Sequence, residues 1–318
     1  MAIPIWNRNH TPLPLETGRG FFCFATMKKE ETTKNLSATA SPIQEKRQAI
    51  TVVKVGGAVV EDEAQLTELL QQFAAIEGPK VLVHGGGRRA TKIAAQLGIE
   101  SQMVGGRRIT DAQMLDVVTM VYGGLVNKHI VARLQAIGIN AVGLTGADMD
   151  IIRSHRRPPV PLSSFTTAGV ADGDTMIDFG FVGDVDRVDA RRLSSLIDAD
   201  VVPVVAPLSH DGNGSLLNTN ADTIAAEVSK ALAESYAVTL VFAFEKPGVL
   251  ARPDDDDSVI PHITRSDFER YVADGTISGG MIPKVSNALQ AIDAGVERVV
   301  ITRPIDIARS GGTIIAAF

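Results

Sequence analysis

The sequence predicts an α/β fold around a mainly parallel central sheet. Two observations carry this. Short β-branched runs, apolar at nearly every position, recur along the chain, and stretches with apolar residues at helical spacing separate them. Strands that are apolar on both faces need helices on both sides, and strand–helix alternation is the signature of a parallel sheet.

In chain order, residues 27–48 (MKKEETTKNLSATASPIQEKRQ) are polar, rich in Ser, Thr and Lys, and aperiodic. Such a segment has too little apolar surface to offset its ordering entropy, so 1–48 is expected to be a disordered arm outside the fold. Pro12 and Pro14 break the apolar stretch 5–15 too often for a helix, and GFFCFAT (20–26) is too short for a secretory apolar region. The first strand is ITVVKV (50–55), followed by a helix over 62–76; KVLVHG (80–85) is followed by a helix over 88–97. Residues 111–136 predict one long helix, started by the cap signal Thr110/Asp111 and interrupted at Gly123-Gly124. The Pro/Ser/Gly-rich stretch 157–175 predicts an exposed excursion or hairpin. NAVGLTG (140–146), VVPVVAPL (201–208), VTLVFAF (238–244) and RVVIT (298–302) are further strands, and TIAAEVSKAL (223–232) is an amphipathic run.

Composition narrows the function classes. A chain of 318 residues is long enough for about two domains or lobes with a large core. A formal net charge of -6 disfavours a binder of nucleic-acid backbones, despite the local basic run 153–157 (RSHRR). The single cysteine, Cys23, cannot form an internal disulfide, and no Cys/His spacing suggests structural zinc, which suits a reducing cytoplasm. No apolar run approaches the roughly 18 residues that span a bilayer. The aspartates 254–257 read as a solvated loop rather than a metal site.

Five separated motifs carry the chemistry: VVKVGG (52–57), VLVHGGG (81–87), GGRRIT (105–110), LLNTNAD (216–222) and SGGMIPK (278–284). Lys54 stands before Gly56 and Gly57, and Lys284 after Gly279 and Gly280. Fixed cations beside backbone that can approach closely suit a phosphoryl group in transfer. Gly86 and Gly87 fall at a strand-to-helix turn, where helix N-terminal amides favour an anion. Residues 85–90 also satisfy the G-x-G-x-x-G/A pattern of dinucleotide binders, but that reading gives the two lysines no role and leaves Glu100 and Asp111 ill placed as the acidic ribose ligand. Arg108 can grip a carboxylate with two parallel hydrogen bonds, while Arg107, one residue off in direction, reads as surface or interface. Asp222 either helps cap the helix it precedes or serves the site, and His84 reads as a hydrogen bonder that stabilises its turn.

In order and spacing these motifs, over 51–318, resemble the amino-acid kinase family, and within it the acetylglutamate kinases. The resemblance implies a three-layer αβα sandwich of amino-acid kinase type. An acyl amino acid lobe of about 49–200 and a nucleotide lobe of about 201–318 would share one sheet, with the boundary near 196–206. It implies ATP-dependent phosphorylation of the side-chain carboxylate of N-acetyl-L-glutamate to an acyl phosphate, in cytoplasmic arginine biosynthesis. N-succinylglutamate or an N-acylaminoadipate is the alternative substrate within the class, and a non-catalytic amino-acid or nucleotide sensor of the same fold is the other reading. Lys54 would serve the transferring phosphoryl group and the attacking side, and Lys284 the nucleotide side. Asp222 would orient both lysines, Asn218, Arg108, Gly86 and Gly87 would bind the acyl amino acid, and Gly56, Gly57, Gly279 and Gly280 the phosphates. Mg2+ would arrive with ATP rather than in a protein cage, and the helix over 111–136 would form the core of a homodimer. The chain departs from the family pattern at Phe244-Glu245, where relatives usually have Thr-Asp, at Met149, where many have glycine, and at 301–315, which lacks the signature of arginine feedback.

Overall fold

The computed structural model describes residues 47–165, 175–309 and 311–317. The arm expected over 1–48 lies outside them apart from its last two residues, as does 166–174 of the expected excursion. The main sheet has eight strands. In chain order they are β1 (Ala49–Val55), β2 (Lys80–His84), β3 (Ala141–Leu144), β4 (Val202–Val205), β5 (Ala237–Ala243), β6 (His262–Ile263), β7 (Arg298–Thr302) and β8 (Thr313–Ile315). Their spatial order is β6-β8-β7-β5-β1-β2-β4-β3, and of the described pairings only β7 with β8 is antiparallel. The strand β4, which follows the 200/201 division expected from the sequence, is hydrogen-bonded between β2 and β3.

The helices are α1 (Gly57–Glu61), α2 (Glu63–Ala75), α3 (Gly87–Gln96), α4 (Ala112–Val118), α5 (Asn127–Ala136), α6 (Ala190–Asp198), α7 (Ala221–Leu232), α8 (Arg265–Ala273) and α9 (Met281–Asp293). They cover both faces of the sheet. Val52, Val83 and Leu240 pack with Leu193 of α6, Val228 of α7 and Leu289 of α9. Val53, Leu82 and Val241 point the other way and pack with Phe73 of α2, Ala94 of α3 and Leu134 of α5. Alternation along β1 therefore builds the three-layer αβα sandwich. It also puts Lys54, two residues from Val52, on the face that α7 and α9 cover. Among the described residues no helix is long and apolar enough to cross a membrane.

The long helix over 111–136 is present, and the Asp111 side chain caps it by accepting from the Met114 amide at 2.8 Å. The interruption at Gly123-Gly124 takes the form of widened π turns, Thr119–Val126, that connect α4 to α5 without a break. A Cβ on Gly123 would stand 3.3 Å from Thr145 Cγ2, so glycine lets the helix lie close on the sheet end.

Two smaller units shape the site. A four-stranded sheet of Leu216–Asn218, Leu208–His210, Ile152–Arg156 and Gly183–Val188, in that spatial order, carries Asn218. Val160–Pro161 pairs antiparallel with Met176–Ile177, so the stretch around 157–175 begins and returns as a hairpin. Met103–Val104 and Arg107–Arg108 form a second hairpin whose loop residues Gly105 and Gly106 have φ of 55° and 74°. Left-handed backbone at both loop positions is the turn that matches strand twist.

The fully buried Asn127 ties α5 to the sheet: Nδ2 donates to the Val204 carbonyl at 2.9 Å and lies 3.1 Å from His84 Nε2. A Cβ on Gly143 would fall 1.8 Å from Asn127 Oδ1. Gly143→Ala is therefore expected to displace Asn127 and cost about 1–3 kcal/mol, the usual range for overpacking a core. Urea denaturation would show a lower midpoint with an unchanged slope; a wild-type midpoint would mean that α5 shifts without cost.

Candidate active site

The C-terminal ends of β1 and β2 run directly into glycine turns and then into α1 and α3, so the site is built where parallel strands end and helices begin. A Cβ on Gly85 would lie 3.1 Å from the Gly57 amide, and one on Gly57 would lie 3.4 Å from the Gly86 amide. The two turns thus pack backbone against backbone and form a wall without side chains. A cleft opens on each side, and Gly87 borders both.

The first cleft is lined by Lys54, Gly56, Gly57, Asp222, Phe244 and Lys284. Lys54 is only 7% exposed, and its Nζ lies 2.6 Å from Asp222 Oδ1. The contact is an ion pair rather than an aligned hydrogen bond, since that buried oxygen has no hydrogen-bond partner among the described residues. Asn220, not Asp222, caps α7: its Oδ1 accepts from the amides of Asp222 at 2.7 Å and Thr223 at 3.4 Å. The Asp222 carboxylate is left for the lysine. Burial pushes the Lys284 ammonium below the usual lysine range, Asp222 opposes this, and Lys54 adds to it. The Phe244 ring lies beneath both cations, its centroid 4.0 Å from Lys284 Nζ and 5.2 Å from Lys54 Nζ. Helices α1, α3 and α9 start at Gly56, Gly86 and Gly280 with no side-chain cap. Among the described residues the first amides of α1 and α3 have no partner and suit an anion, whereas in α9 the Met281 and Ile282 amides donate to the Ser278 carbonyl at 3.2 Å and the Gly279 carbonyl at 3.3 Å. Gly279 (φ 53°) and Gly280 stand at the start of α9, which lines the cleft through Met281 and Lys284.

The second cleft is lined by Gly86, Gly87, Arg107, Arg108, Tyr122, Arg157 and Asn218. Arg108 is 7% exposed, yet its described contacts are to neutral groups: Ser101 Oγ at 2.5 Å, the Gly87 carbonyl at 2.9 Å, Thr91 Oγ1 at 2.8 Å and Met114 Sδ at 3.9 Å. Asn218 Nδ2 donates to Thr110 Oγ1 at 3.0 Å. Arg107 corrects the sequence reading. It is not a surface side chain but borders this cleft, where burial and the neighbouring Arg157 lower its pKa and Asp184 opposes them. Arg157 is itself held by Asp184, with Nε 3.1 Å from each carboxylate oxygen. Burial raises the Tyr122 phenol, with Arg108 opposing.

His84 lines neither function. Its ring is fully buried, and burial pulls its pKa down to about 4. Nδ1 lies 2.8 Å from the Gly85 carbonyl and Nε2 3.1 Å from Asn127 Nδ2. These partners require the neutral tautomer with the proton on Nδ1. The ring holds the glycine turn. Among the described residues no group of three or more His, Cys, Asp or Glu side chains could hold a metal ion.

The structure thus brings Lys54, Lys284, Asp222, Gly56 and Gly57 into one cleft, and Gly86, Gly87, Arg108 and Asn218 into the other. Tyr122 escaped the sequence reading, which met Arg157 only within the basic run 153–157 and Phe244 only as a departure from the family pattern. The cap role of Asn220 was legible as an Asn one residue before an amphipathic helix.

The amino acid kinase family model matches residues 49–303. This chain belongs to the amino acid kinase family. It is 62% identical over 269 residues to an acetylglutamate kinase of Bacteroides thetaiotaomicron, across 85% of this chain and 99% of that protein. It is 50% identical to an acetylglutamate kinase of Cytophaga hutchinsonii, across 80% of this chain and 91% of the other. At lower identity the fold itself recurs among solved structures. The N-acetylglutamate synthase of Neisseria gonorrhoeae complexed with coenzyme A and N-acetyl-glutamate superposes with a TM-score of 0.66 at 22% identity, over 87% of this chain and 61% of that one. Giardia lamblia carbamate kinase bound to AMP-PNP gives 0.60 at 15%, over 86% and 99%.

The buried His84 also fixes a pH dependence. Its folded pKa, about 4, lies below the ordinary value of 6.5, so the unfolded chain binds more protons between these pH values. Stability is then complete above 6.5 and falls as pH drops toward 4, by up to about 1.4 kcal/mol per pH unit. Urea denaturation of wild type at several pH values should show this slope, and His84→Gln should flatten it. Equal slopes for the two proteins would reject the assignment.

Proposed function

We propose that this chain is an acetylglutamate kinase, which transfers the γ-phosphoryl group of ATP to the side-chain carboxylate of N-acetyl-L-glutamate and forms the acyl phosphate of arginine biosynthesis. The relatives named acetylglutamate kinase support the reaction. The observation that carries the assignment of parts is a pair of cationic clefts meeting across a wall of glycine backbone.

A glutamate side chain, with a reference pKa near 4.3, is ionised at neutral pH and needs no general base. The barrier is the meeting of two anions. The carboxylate oxygen bonds to the γ-phosphorus while the bond to the β–γ bridging oxygen breaks, and ADP leaves with that electron pair. Lys54 is assigned to the transferring group and the attacking oxygen; its ion pair with Asp222 beside the glycine wall supports this. Lys284, with Gly56 and Gly57 at the uncapped start of α1 and Gly279 and Gly280 before α9, would take the nucleotide phosphates. Preorganised charges of this kind supply most of the stabilisation in phosphoryl transfer. Arg108, whose terminal N–H groups now meet only neutral acceptors, would exchange some of those hydrogen bonds for the α-carboxylate, with Asn218, Gly86 and Gly87 completing the acyl amino acid site.

ATP brings a divalent cation, which we assign as Mg2+ held by phosphates and water. The catalytic unit is residues 49–318, with an acyl lobe of about 49–200 supplemented by Asn218, and a nucleotide lobe of about 201–318. We assign a cytoplasmic homodimer. The exposure of Met120 (55%) and Leu125 (47%) on the long helix supports a contact there between copies.

ADP release measured with ATP and N-acetyl-, N-succinyl- or free glutamate tests the reading. Turnover is expected with the acetyl substrate; equal or better turnover of free glutamate would reject it. Lys54→Ala and Lys284→Ala should each lower kcat about 10²- to 10³-fold, with little change in substrate KM. Retention of wild-type kcat by either variant would remove that lysine from the mechanism. Arg108→Lys should instead raise KM for the acyl amino acid roughly tenfold or more, because a point charge loses the two-pronged grip; an unchanged KM would transfer the role to Arg107 or Arg157.

A further inference from the structure

Lys284 is held in an unusual way for a half-buried cation. Among the described residues no carboxylate hydrogen-bonds to its ammonium; Asp222 and Glu245 act on it only at longer range. Its close partner is the Phe244 ring, 4.0 Å from Nζ, and the same ring carries Lys54 at 5.2 Å. The ring is itself fixed. Phe242 stacks on it with centroids 5.8 Å apart and planes 6° from parallel, and the Phe244 amide donates to the Thr302 carbonyl on β7 at 2.8 Å. Phe242 is also the β5 residue in register with Lys54.

We propose that Phe244 is a positioning residue for phosphoryl transfer, whose ring face holds the ammonium groups of Lys54 and Lys284 over the nucleotide cleft before ATP enters. This rests on reading the two lysines as the pair that stabilises the transferring group. The choice of an aromatic side chain follows from what the lysines must do. A carboxylate at this position would neutralise Lys284 and repel the incoming phosphates. An aliphatic side chain would leave the ammonium without a close partner. The negative face of an aromatic ring attracts a cation without cancelling its charge, so the lysine stays available to an anion.

The charged groups that face Lys284 are Asp222 from α7, Lys54 from β1 and Glu245 after β5, and Arg88 and Lys246 border the same cleft. Glu245 is shared with Arg88 at 3.5 Å, and Lys246 is paired with Asp256 at 3.0 Å. Burial already works against the protonated lysine, and the ring works for it. Removing the ring therefore moves the loss of the Lys284 proton to lower pH.

The test compares wild type, Phe244→Leu, Phe244→Tyr and a protein with 3,4,5-trifluorophenylalanine at position 244, by kcat, both KM values and the alkaline limb of kcat. Phe244→Leu should lower kcat roughly threefold to thirtyfold, the range that a cation–π contact supplies, with KM for N-acetyl-L-glutamate unchanged and the alkaline limb moved to lower pH. Phe244→Tyr should restore kcat and the limb. The fluorinated ring keeps nearly the same shape but loses its negative face, so it should behave like leucine. A wild-type kcat and limb in Phe244→Leu, or a wild-type fluorinated protein beside an impaired leucine variant, would overturn the proposal, the latter by showing that only packing matters. Lys284→Ala measured alongside separates the two levels of the argument. If Lys284→Ala is impaired and Phe244→Leu is not, the ring has no role; if Lys284→Ala turns over normally, the reading of the lysine pair itself is wrong.

Discussion

The site depends on one ion pair. Lys54 and Asp222 meet at 2.6 Å in a place where the lysine is almost removed from water. A buried ammonium without a counter-charge would lose its proton or destabilise the fold, so a cation in the centre of a parallel sheet requires a carboxylate brought to it from elsewhere. The fold meets this requirement through alternation. Lys54 shares a face of β1 with Val52, that face is covered by α7 and α9, and Asp222 and Lys284 lie in the first turns of those helices. Asn220 takes over the cap of α7, which leaves the Asp222 carboxylate for the lysine instead of for backbone amides.

The second constraint is the closeness of the two glycine turns. A Cβ on Gly85 would stand only 3.1 Å from the Gly57 amide, so a methyl group there would press the two turns apart by a few tenths of an ångström. Positional precision there comes from the buried chain Gly85–His84–Asn127–Val204, in which neutral groups alone join β2, α5 and β4. A neutral His84 supports a turn that faces phosphates without adding a titrating charge to it.

The two clefts share an electrostatic design. Each holds one cation whose described partners are few or neutral: the half-buried Lys284 against an aromatic ring, and the buried Arg108 among carbonyl, hydroxyl and thioether groups. Cations left without neutralising partners favour anions, and low local dielectric strengthens the attraction. On the proposed reading, two anions brought from opposite sides of the glycine wall would meet at Lys54.

Much of this was legible in the sequence. Strand and helix order, the long helix over 111–136, the glycine turns and the paired lysines all follow from periodicity, β-branching and the positions of Gly56, Gly57, Gly86 and Gly87, because these are properties of neighbouring residues. The five motifs in their order led to the family and to N-acetylglutamate phosphorylation. What the sequence left open are contacts between residues far apart in the chain. It weighed a cap against an orienting role for Asp222, and read Arg107 as surface or interface, yet the hairpin over Gly105-Gly106 brings Arg107 beside Arg157. It presented Phe244 only as a departure from pattern. The platform beneath two lysines arises from the register of β1 with β5 and the start of α9, and register is set by the packing of the whole sheet rather than by any local run of residues.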